Sequence, residues 1–96
     1  MHLYQVEYTD TFGGEANYCW VRRAVIHVPE WPHFKDWDGN GRREPKGYQR
    51  EVMRRAKAAV GLTGARGVTY ALGDGYEFRP YGAATVLFVS WTEEPA

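Results

Sequence analysis

Residues 84–91 constrain the fold of this chain most. Val86, Leu87, Phe88 and Val89 follow one another without a polar interruption, so both alternating faces of an extended segment are apolar there. A strand of that kind has to be covered on both sides, which predicts a central position in a sheet. The other extended runs differ. In residues 3–9, Tyr4, Val6 and Tyr8 alternate with Leu3, Gln5 and Glu7, the period-two pattern of a half-buried strand. Residues 16–28 form a long run rich in β-branched and aromatic residues, with Tyr18, Trp20, Arg22, Ala24 and Ile26 expected on one face and Cys19, Val21, Arg23 and Val25 on the other. The glycines of Asp10-Thr-Phe-Gly-Gly14 supply the positive φ of a tight reversal and predict an antiparallel hairpin between these two strands. Val68, Tyr70 and Leu72 predict a third strand; Tyr76 and Phe78 predict a fourth, with Pro80 marking an edge or a strand end.

Only residues 48–60 carry a convincing helical stripe, through Val52, Met53, Ala56, Ala59 and Val60. Gly61 follows as a natural stop, Lys57 suits the last turn, and Glu51 and Arg55 are spaced as an i,i+4 ion pair. The expected order is β-β-α-β-β-β. That is an α+β fold, an antiparallel sheet of about five strands with one helix packed on one face. Ninety-six residues suit a single domain spanning 1–96. A chain of this size buries about two-thirds of its unfolded surface, which leaves little room for a deep enclosed active site.

Between the second strand and the helix lies a long inserted loop, residues 29–47. Connections in compact domains usually run about 4–6 residues, and much longer ones are functional or disordered. Trp31, Phe34 and Trp37 argue against disorder, because disordered segments are poor in large aromatics. Eight of the twelve basic residues fall at Lys35, Arg42, Arg43, Lys46, Arg50, Arg54, Arg55 and Lys57, with Arg50, Arg54 and Lys57 on one helical stripe. Aromatic anchors ringed by arginines are the residue types that dominate protein interfaces. The expected partner-binding residues are therefore Trp31, Phe34, Trp37, Arg42, Arg43, Lys46, Arg50 and Arg54. The same pattern suits single-stranded nucleic acid, where bases stack on aromatics beside a basic track. A helix lying over a sheet also turns a charged face to water whatever its function. Twelve acidic residues balance the twelve basic ones, so the chain lacks the global attraction of a strongly basic protein.

Asp36, Asp38 and Asn40, followed by Gly41, reproduce the opening half of an EF-hand calcium loop, and Glu44 falls at its ninth position. The match fails at the eighth position, which is Arg43, and at the twelfth, where Gly47 replaces the bidentate glutamate. The expectation is no cofactor, with a calcium-dependent module on Asp36, Asp38 and Asn40 as an alternative. His2, His27, His33 and Cys19 lack the spacing of a zinc site. Cys19 is expected to be a small buried hydrophobe rather than a nucleophile paired with His27. No nucleophile elbow, phosphate-binding loop or dinucleotide fingerprint is present. The chain is not expected to be an enzyme.

A single cysteine excludes an intrachain disulfide, and the first residues show neither the basic nor the apolar region of a signal peptide. No apolar run approaches the roughly 20 residues of a membrane span. A cytoplasmic protein is expected.

Residues 10–23 (Asp-Thr-Phe-Gly-Gly-Glu-Ala-Asn-Tyr-Cys-Trp-Val-Arg-Arg), 59–64, 77–82 (Glu-Phe-Arg-Pro-Tyr-Gly) and the closing Val86-Leu-Phe-Val89 resemble small uncharacterised accessory proteins of bacteriophages and prophages. The likeness covers most of the chain outside the long loop. It implies expression in a bacterial host and brings no catalytic residues. In size and in lacking an enzyme signature the chain is similar to anti-CRISPR proteins. The implied function is a protein-binding inhibitor that occludes a host defence complex. Nucleic-acid binding through the helix and loop is the alternative, and an exposed edge strand leaves homodimerisation open.

Overall fold

The computed structural model describes residues 2–35, 37, 39, 44–45 and 47–92. Five strands, β1 (His2–Phe12), β2 (Glu15–Val28), β3 (Gly67–Leu72), β4 (Gly75–Pro80) and β5 (Thr85–Thr92), form one antiparallel sheet in the order β2-β1-β5-β4-β3. Among the described residues one α-helix, α1 (Tyr48–Ala59), and a short 3₁₀ turn at Trp31–His33 precede β3. The fold is α+β, and the strand with two apolar faces, β5, holds the centre of the sheet. Pro80 ends β4 and lies on an inner strand, not on an edge. Among the described residues no helix is long and apolar enough to cross a membrane.

Cross-strand register shows which residues share a face. Tyr4 pairs with Ile26 and Trp91, Val6 with Ala24 and Val89, and Tyr8 with Arg22 and Leu87. Phe78 in turn lies opposite Leu87. These side chains meet Val52, Met53, Ala56 and Val60 of the helix in one buried cluster. Tyr48 belongs to it as well, whereas Ala59, expected in the apolar stripe, is exposed one position past the buried face. Beyond Val60, Gly61 adopts the left-handed conformation (φ 81°) and Leu62 N–H reaches back to the Lys57 carbonyl at 2.7 Å, closing the helix end. On the other face of β5, Val86 is fully buried beside Thr9, but Phe88 is only half-buried. The apolar run is thus well covered by the helix and only partly covered on its far side.

The β1–β2 hairpin turns through Gly13 and Gly14, with φ of 63° and 86°. Two successive positive-φ residues make a turn whose twist matches the strands it joins. Four residues further on, the regular alternation expected of β2 breaks. Between the pairs Thr9↔Val21 and Thr11↔Ala16 the register shifts, and Tyr18 takes a positive φ of 54°. Asp10 holds this bulge: its carboxylate accepts from Asn17 Nδ2 at 2.9 Å and from Cys19 N–H at 2.9 Å. The Asn17 bond, helped by backbone donors, keeps the Asp10 carboxyl below its ordinary range. Trp20 stays on the helix side, edge-on to Tyr8 at 5.2 Å. Tyr18 crosses to the other face, where its hydroxyl donates to Glu7 at 3.4 Å. Cys19 lies within the bulge and is exposed, not buried, because an irregular backbone takes it off the pleat.

Gly75 has a steric role. A Cβ there would run into the carbonyl oxygen of Val89 on β5, so only glycine allows this close approach of the two strands.

Candidate functional site

Trp31 and Phe34 are held against the fold. Both pack edge-on to Tyr48, with ring centroids 6.0 and 5.4 Å apart, and both join the margin of the core. Trp37 is half-buried, its N–H bonded to the Phe34 carbonyl at 3.2 Å. The loop aromatics therefore pin the connection to the first turn of α1, and Trp31 and Phe34 offer a partner only part of their rings. Arg42, Arg43 and Lys46, and the calcium candidates Asp36, Asp38 and Asn40, lie outside the described residues. Among the described residues no three His, Cys, Asp or Glu side chains are grouped to hold a metal. Cys19 and His27 are eight positions apart along β2, roughly 25 Å of extended chain, so they cannot act as a pair.

The basic stripe of α1 is largely engaged within the molecule. Arg54 forks onto Glu51 with bonds of 2.6 and 2.8 Å. Arg55 also reaches Glu51, at 2.9 Å, and donates to the His27 carbonyl at 2.6 Å. The Arg54 bond foremost, with Arg55 in support, pulls the Glu51 carboxyl down to about 2. Lys57 bonds the Ala65 carbonyl at 3.1 Å while its ammonium sits 4.1 Å from the Phe78 ring centre. Among the described residues Arg50 makes no side-chain hydrogen bond or ion pair. Arg50 and Arg54 stand on a ridge between two shallow clefts. One, of about 280 Å³, includes Phe34; the other, of about 420 Å³, runs between α1 and Thr69 of β3.

A third cleft, of about 310 Å³, opens where the ends of β1, β4 and β5 meet the start of the helix. The Tyr48 hydroxyl sits 2.8 Å from both the Tyr4 hydroxyl and His2 Nδ1, and Tyr76 donates to Glu44 at 3.1 Å. Burial, and then the bond to Tyr4, raises the Tyr48 phenol; burial, and then the Glu44 charge, raises that of Tyr76. These phenols remain protonated at neutral pH and act as fixed hydrogen-bonding groups. A sequence signal for this cluster exists, since tyrosine at buried strand positions needs a partner for its hydroxyl. Which tyrosines meet is set by the sheet.

An exposed apolar row lies elsewhere. Val68, Tyr70 and Leu72 pair with Arg79, Glu77 and Gly75, which places all three on the sheet face away from the helix. Their exposures are 38, 50 and 47%, high for large apolar residues in regular structure. Glu7–Arg23 and Glu77–Arg79 ion pairs, at 3.0 and 2.8 Å, lie on the same face. No known protein family, curated protein or solved structure matches this chain.

Proposed function

We propose that this is a non-catalytic binding protein that acts by occupying the surface of another protein. On the reading implied by its resemblance to phage accessory proteins, the target is a host protein, with a defence complex as the case to test. The observation that carries the proposal is the uncovered row of Val68, Tyr70 and Leu72 on the open sheet face. Exposed apolar rows bordered by polar residues mark interaction surfaces. The engaged state of Arg54, Arg55 and Lys57 supports a protein partner over nucleic acid, because cations already matched inside the molecule release few counterions on binding a phosphate backbone.

The test is capture from bacterial lysate with tagged wild type and with Leu72→Asp, each with and without nuclease. The expected result is a discrete protein retained after nuclease and lost with Leu72→Asp. Retention by the variant would remove the open face from the proposal. Loss of the partner on nuclease treatment would overturn it in favour of nucleic acid.

A further inference from the structure

The two edges of the sheet differ in how they are guarded. β2 carries Arg22 and Arg23, is broken by the bulge at Tyr18, and has its His27 carbonyl bonded by Arg55. Charges, bulges and covered backbone groups are the usual defences of an edge strand. β3 has none of them. Its residues, Gly67-Val-Thr-Tyr-Ala-Leu72, include no charge, no proline and no bulge. Tyr81 N–H bonds the Arg66 carbonyl, so by the antiparallel alternation Val68, Tyr70 and Leu72 bond to β4. The N–H and C=O groups of Gly67, Thr69 and Ala71 therefore point outward from the edge.

We infer that this edge pairs with the β3 edge of a second copy, antiparallel and two-fold symmetric, with the axis at Tyr70. In that register the residues along the edge complement one another. Thr69 lies opposite Ala71 of the second copy, so the outward groups of each exchange both ladder bonds. Val68 lies opposite Leu72 of the second copy on the open face. Asp74, in the turn just past Leu72, then stands beyond the end of the edge strand on the side where Arg66 of the second copy emerges, within reach of that long side chain, twice by symmetry. Both of these charges are exposed and neither has a side-chain hydrogen bond or ion pair among the described residues. The two-fold axis runs perpendicular to the sheet, so both helices stay on one side of a ten-stranded sheet. The two Val68–Leu72 rows then lie side by side on the other. The inference rests on the edge and its flanking charges and does not depend on a heterologous partner.

Sedimentation velocity and light scattering on the full chain test it. The expected result is a concentration-dependent dimer of twice 11.0 kDa. Arg66→Asp or Asp74→Arg alone should weaken it about tenfold, because each turns two attractive pairs into repulsive ones. The double variant, with the charges exchanged, should restore it. Tyr70→Lys should abolish the dimer by setting two lysines against each other at the axis. In the monomer that lysine faces Glu77 across β4, so the fold is retained, as circular dichroism and a thermal transition would show. A monomer at every concentration overturns the inference. So does a dimer indifferent to the charge reversals and to Tyr70→Lys.

Discussion

At the scale of single residues, Tyr48 is the point where the long loop, the helix and the sheet are joined. Its ring makes T-shaped contacts with Trp31, Phe34 and His2, and its hydroxyl is shared with Tyr4 and His2. Phenylalanine would keep the ring contacts and strand the buried Tyr4 hydroxyl. Tyr48→Phe is therefore expected to lower stability by about 1–2 kcal/mol, measured by urea unfolding, with the fold unchanged. A loss within experimental error would mean that the hydroxyl network contributes nothing net. Tyr4 was legible in the sequence as a strand residue and Tyr48 as the start of the helix. Their meeting was not, because Tyr4 and Tyr48 are 44 positions apart and only the packing of α1 on β1 brings them together. Trp31 and Phe34 illustrate the same limit. An aromatic-rich loop reads as a binding surface until the fold shows which core residue its rings cover.

At the scale of elements, α1 was readable almost in full, since its apolar stripe, its terminating glycine and the Glu51–Arg55 pair are all local. The structure adds Arg54 to that pair, so Glu51 accepts from two guanidinium groups on one face of the helix. Its carboxyl falls from an ordinary 4.5 to about 2 in the folded state. A depressed carboxyl stabilises the fold above its unfolded value and loses that contribution as pH falls through the folded one. Wild type should therefore exceed Glu51→Gln in stability above about pH 4.5, with the gap closing towards pH 2. Denaturant unfolding of both proteins across that range checks this, and a pH-independent gap would assign the effect to packing. By contrast, the break in β2 left no clear sign in the sequence. Tyr18 continues the alternation of its neighbours, and the bulge is specified by Asp10 reaching across from β1.

For the whole molecule, the sheet order makes its own prediction about local stability. β1, β5 and β4 are paired on both sides, whereas the edges β2 and β3 each have one partner. In dilute solution the amides of Val6, Leu87 and Val89 should exchange with solvent slowest, and the outward amides of the edges, Thr69 and Ala71 among them, much faster. Protection of Thr69 and Ala71 should then rise with protein concentration as the edges pair. Equal exchange across the five strands would contradict the central place of β5.

The sequence by itself determined the elements, their order, the fold class and the central place of the strand that is apolar on both faces. Each of these follows from local periodicity, turn chemistry and the need to cover apolar side chains. Tertiary structure alone decided that Tyr48 gathers Trp31 and Phe34 and that Glu51 and the carbonyls of His27 and Ala65 engage most of the basic residues of the helix. It also decided that β3 is left as the unguarded edge. These outcomes depend on which distant residues the pairing of strands brings level, and no local pattern records a register.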